Sequence, residues 1–136
     1  MVKFILGVKG SGKTKRMIDM ANESDRTSNG NVVYIDRDRN HIYDLNRNIR
    51  LIETGEFQLE NLKSFYGFIC GVVSQDFDIE HVFIDGQKIV SNAEDECLEA
   101  FVKNLEKLNE KFGMNFTVSC SRSPEGIPEF LKSYLI

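Results

Sequence analysis

Gly7-Val8-Lys9-Gly10-Ser11-Gly12-Lys13-Thr14 spells G-x-x-x-x-G-K-T, the pattern of a loop that wraps a chain of phosphates. A triphosphate is a compact polyanion. Small residues let successive backbone N–H groups turn inward around it, and glycine supplies the positive φ and close approach that such a loop needs. Lys13 is placed to reach the β- and γ-phosphates, and the Thr14 hydroxyl to ligate Mg²⁺. A second candidate is Asp85, which follows the apolar run Val82-Phe83-Ile84. An acid at the carboxyl end of a buried strand beside the loop would hold the same Mg²⁺, usually through water. A third is Arg122, just past the last apolar run, which could contact phosphates in cis. The candidates are thus Gly7 through Thr14 for phosphate, Thr14 and Asp85 for metal, and Lys13, Asp85 and Arg122 for chemistry.

These residues need elements to hold them. Residues 2–7 form an apolar strand, and Met17, Ile18 and Ala21 recur at helical spacing over Lys13 to Glu23. Val32 to Ile35 is a continuous apolar run, as in a strand buried on both faces of a parallel sheet. The stretch from Asp36 to Arg50 is dense in charge and leaves the carboxyl end of that strand, the edge where open α/β sheets bind ligands. It is either a mobile flap over the nucleotide, which the bound state could order for a protein partner, or a solvated surface loop, and its lone His41 carries no assigned chemistry. A short strand at Arg50 to Glu53 and an amphipathic helix over about 58–74 follow. Gly67 and Gly71 in that helix could let it press close to the sheet.

Asp76 to Glu80 reads as a loop and His81 to Asp85 as a strand. Ser91 and Glu94 have capping-box spacing before a helix striped by Cys97, Leu98, Phe101, Val102, Leu105, Leu108 and Phe112, which Gly113 ends. Met114 to Cys120 is the last strand. Ser123-Pro124-Glu125 resembles a cap on a terminal helix lined by Ile127, Phe130, Leu131, Tyr134 and Leu135. Four or five strands alternating with helices predict a three-layer α/β/α fold with a mainly parallel sheet.

The 136 residues suit one domain, and 41% apolar composition with ten Phe and four Tyr suits a packed core. A net charge of −4 argues against broad binding to nucleic acid or anionic membranes. No apolar run is long enough to span a bilayer, and the first strand leaves no room for a signal peptide, so a cytoplasmic location is expected. Cys70, Cys97 and Cys120 form no C-x-x-C pair; Cys70 and Cys97 fall on apolar helix faces, as small buried residues of a reducing compartment.

The Gly7–Thr14 loop together with Val82–Asp85 resembles the P-loop NTPase superfamily over nearly the whole chain. Within it, the order of elements is similar to the ATP-binding core of thymidine kinases, with Ile84-Asp85-Gly86-Gln87 against that family's Ile-Asp-Glu-x-Gln. Gly86 stands where that family has its catalytic Glu, and its zinc-binding cysteines and substrate lasso have no counterpart before Ile136. The chain is also similar to small bacterial P-loop ATP-binding proteins, some labelled twitching-motility ATPases. The resemblance implies a Mg²⁺-dependent nucleotide ligand. ATP is favoured over GTP because the guanine-reading N/T-K-x-D pattern is absent. Two functions follow as expectations: a weak or partner-dependent ATPase or nucleotide switch, or a small phosphotransferase. With no Glu after Asp85, Gln87 is a candidate to orient water, and Glu94 is expected to be committed to its cap.

Overall fold

The computed structural model describes residues 1–136. Five strands, β1 (Val2–Gly7), β2 (Asn31–Asp36), β3 (Arg50–Glu53), β4 (Ile79–Ile84) and β5 (Asn115–Ser121), form one sheet. Its order is β1-β5-β4-β2-β3, and every pairing is parallel. The helices are α1 (Lys13–Thr27), α2 (Leu62–Ser74), α3 (Lys88–Ser91) and α4 (Asp95–Phe112), and 3₁₀ turns cover Ile42–Asp44 and Glu129–Tyr134. No helix is long and apolar enough to cross a membrane.

The apolar runs explain the layering. Strand side chains alternate between faces. Phe4, Val33, Ile35, Val82, Ile84, Phe116 and Val118 join the residues of α2 and α4 in a core of 23 buried residues. Ile5, Val32, Tyr34 and Phe83 pack on the other face against Met17, Ile18 and Ala21 of α1, in a core of nine. A three-layer α/β/α architecture follows, as expected.

Several local expectations change. β5 lies between β1 and β4, so the strand that leads into Asp85 does not neighbour the strand that ends at Gly7. Helix α1 runs one turn past Glu23, to Thr27. β4 begins at Ile79, inside the stretch expected to be loop. Helix α2 starts at Leu62 because Asn61 caps it, accepting from the Ser64 amide at 2.9 Å while Ser64 Oγ accepts from the Asn61 amide at 3.2 Å. Gly67 and Gly71 face solvent with nothing within 4 Å of a built Cβ, so they bring α2 no closer to the sheet.

The Ser91–Glu94 capping box does not form. Ser91 ends the short α3 and its Oγ accepts from the Ser121 amide at 2.8 Å, while Glu94 precedes α4 without a side-chain cap bond. Nor does Pro124 open a helix; the terminal turn is 3₁₀ and follows Pro128. Cys97 is exposed, on the flank of the α4 stripe, whereas Cys120 is buried as expected of a small apolar residue.

The 36–50 segment is neither a free flap nor a solvated loop throughout. Leu45 and Ile49 are buried in the smaller core. Asn46 donates twice to Asn22, its amide to Oδ1 at 2.8 Å and its side chain to the backbone carbonyl at 3.3 Å. The second half of the segment is thereby fastened to α1.

Candidate functional site

The carboxyl ends of the parallel strands face one edge of the sheet, and the Gly7–Thr14 loop lies there between β1 and α1. Gly10 and Gly12 have φ of +83° and +88°. A side chain at either position would be strained, which is the physical reason for glycine. Val8 O accepts from the Ser11 amide at 3.2 Å and from Lys13 Nζ at 2.9 Å, so the lysine spans the loop. The amides of Gly10, Gly12, Lys13 and Thr14 donate to no acceptor of the protein. They sit at the N-terminus of a 15-residue helix, where the helix dipole adds partial positive charge.

The loop opens on a cavity of about 470 Å³ with no hydrophobic residue in its lining. Lys9, Gly10, Gly12, Lys13 and Thr14 form one wall; Asp85, Gly86, Gln87 and Lys88 from the end of β4 form another; Ser119 and Ser121 of β5 lie between them. Ser91 and Asn92, with Asp36, Arg37, Asp38, Asn40 and His41, complete it, so the first half of the 36–50 segment borders the cavity that its second half does not reach.

Asp85 is 3% exposed. Tyr34 donates its hydroxyl to Asp85 Oδ2 at 2.8 Å, and Ser119 donates to Oδ1 at 2.5 Å. These two hydroxyls fix the carboxylate while leaving each oxygen a further lone pair. Burial, and then the Asp85 charge, push the Tyr34 phenol far above its ordinary range, so it remains a donor.

Asp36 ends β2 beside it. Ile35 pairs with Ile84 across the two strands, and the Asp85 amide donates to Ile35 O at 2.9 Å, so the carboxylates leave adjacent strands at one level. Asp36 is 5% exposed, and burial together with the Asp85 charge raises its carboxyl to about 6, against the bond from the Arg37 amide.

Two expected contributors go elsewhere. Arg122 donates to Ser91 O from Nε at 3.0 Å, to Asp95 Oδ1 at 2.9 Å and to Ala93 O, and so binds the α3–α4 joint rather than the cavity. Gln87 borders the cavity, but its amide is engaged, with Nε2 donating to Asp85 O at 3.0 Å and Oε1 lying 3.2 Å from the Thr54 hydroxyl. Asp36, Tyr34 and Ser119 belong to the site although no sequence motif assigns them a role in it. Asp36 carried a usable signal: Val33-Tyr34-Ile35-Asp36 has the same form as Val82-Phe83-Ile84-Asp85.

Comparison with protein-family models and with curated proteins returns no match.

Proposed function

We propose that this chain is a P-loop protein that binds a magnesium nucleoside triphosphate, ATP by preference, and hydrolyses it slowly or under the control of a partner. The observation that carries this reading is the set of unengaged amides at Gly10, Gly12, Lys13 and Thr14, opening with the Lys13 ammonium on a wholly polar cavity. Amides at a helix N-terminus suit phosphate oxygens. Thr14 and Asp85 border the same cavity, a hydroxyl and a carboxylate, and this donor set fits Mg²⁺ brought in by the nucleotide and completed by water and phosphate. The ion would neutralise phosphate charge. The chain's own residues grip the phosphates through the loop and Lys13, and hold Asp85 in place through Tyr34 and Ser119.

A second reading, transfer to a small acceptor, is favoured by one feature. A cavity of about 720 Å³ between α2 and α4, bordered by Leu62, Tyr66, Ile89, Ala100 and Phe101, shares Lys88 and Asn92 with the polar cavity. Its size suits a small molecule.

The test is equilibrium binding of a nucleotide panel with and without Mg²⁺. ATP should bind, more tightly with Mg²⁺, and Lys13→Ala should weaken it about 10-fold or more, as expected for losing a charge-assisted contact. Unchanged affinity in that variant, with the fold intact, would sink the reading. Phosphate appearing on an added alcohol or nucleoside rather than in water would favour transfer.

A further inference from the structure

The reaction just proposed requires a group to orient the attacking water and take its proton. Residue 86 cannot supply it. Gly86 has φ +67°, and a Cβ built there would lie 2.8 Å from Asp36 Oδ1. A carboxylate side chain on residue 86 would meet both backbone strain and the Asp36 carboxylate. Gln87 is held by Thr54 and the Asp85 carbonyl.

Resting on that reading, we propose that Asp36 is the catalytic base, replacing from β2 the carboxylate that position 86 lacks. Asp36 is only 5% exposed, yet it borders the polar cavity. Oδ1 accepts from the Arg37 amide at 2.7 Å, which fixes the carboxylate, and Oδ2 accepts from no donor of the protein. Thr54 holds the backbone at this point, donating its amide to Asp36 O at 2.8 Å. Position also separates the two acids. Along β1-β5-β4-β2, Asp36 stands one strand farther from the phosphate loop than Asp85, and strands are spaced about 4.8 Å apart. The nearer acid suits the metal beside the phosphates; the farther one suits water that attacks the γ-phosphorus from the side opposite the leaving group.

In this step water oxygen forms a bond to the γ-phosphorus, and the bond from phosphorus to the β–γ bridging oxygen breaks. The electron pair leaves with the nucleoside diphosphate. The water proton passes to Asp36 Oδ2 and then to solvent.

The experiment compares wild type with Asp36→Asn, which keeps an acceptor for the Arg37 amide; Asp36→Ser is read in the same way should the first variant misfold. ATP affinity and its Mg²⁺ dependence are measured by equilibrium binding. Hydrolysis is measured as single turnover of γ-labelled ATP with protein in excess. The expected result is affinity and Mg²⁺ dependence within about threefold of wild type, with hydrolysis slower by about 100-fold or more. Equal hydrolysis in variant and wild type overturns the assignment, including the case in which wild type binds ATP without cleaving it. So does a slower rate that merely follows weaker nucleotide or Mg²⁺ binding. If wild type binds no nucleotide, the underlying reading itself fails, and that outcome is recognisable from the binding arm alone.

Discussion

Tyr34, fully buried on the α1 face of the sheet, donates its hydroxyl to Asp85 Oδ2 at 2.8 Å, so a tyrosine on one strand sets the carboxylate of the next. Tyr34→Phe removes that donor and leaves a buried carboxylate oxygen with one partner fewer. Stability should fall by about 1–3 kcal/mol, read as a lower urea midpoint at unchanged slope. If Asp85 is a metal-side acid, the advantage that Mg²⁺ gives ATP binding should shrink in the same variant.

Gly86 gives a second prediction. Gly86→Ala forces a Cβ into a left-handed conformation 2.8 Å from Asp36 Oδ1. The expected cost is on the order of 1–3 kcal/mol. A double-mutant cycle with Asp36→Ala separates the two causes: the cost should drop once the carboxylate is gone, yet stay above zero because the backbone strain remains. Full additivity would mean that the two residues do not meet.

The pH dependence of stability has two opposed contributors. Burial raises Asp36 from 3.8 to about 6, so its contribution is fully present below 3.8 and is lost as pH rises through 6. Burial lowers His81, stacked on Phe83 and bonded to the Thr117 hydroxyl, from 6.5 to about 4; its contribution is present above 6.5 and is lost as pH falls toward 4. Between these limits the two offset each other. Asp36→Asn should therefore be more stable than wild type near neutral pH by about 1–3 kcal/mol, with that advantage gone near pH 4, and should lose stability on mild acidification. His81→Asn should show the opposite slope. Urea titrations across that range measure both.

Gly67 and Gly71 offer a stabilising change. Both lie inside α2, are exposed and have open space around a built Cβ. Gly67→Ala and Gly71→Ala should each raise stability by about 0.4–1 kcal/mol, additively, without touching the cavity.

The five strands and the loop were readable because their signals are local. Apolar runs such as Val32–Ile35 mark strands buried on both faces, and the glycine spacing of 7–14 marks a backbone that must take positive φ. What escaped was long-range. Asp36 reads as one of several charges in a polar stretch; its burial comes from Thr54 and Gly86, each at least 18 residues away along the chain. Arg122 sits at the correct sheet edge, but α4 begins beside it and captures its guanidinium through Asp95. Glycines in a helix signal close packing only when they lie on the buried stripe, and Gly67 and Gly71 miss it by facing outward. The strand order that inserts β5 between β1 and β4 is set by packing of whole elements, which no short pattern encodes.

The two faces of the sheet are unequally insulated: 23 buried residues on one, nine on the other. Helix α1, which carries the Gly7–Thr14 loop at its front end, rests on the thinner side through Met17, Ile18 and Ala21. Amide hydrogens of α1 should therefore exchange with deuterium sooner than those of α4, since a smaller apolar contact opens more readily. A ligand gripping that front end would slow this exchange through mass action, so occupancy at the sheet edge would be felt along the helix as far as Thr27.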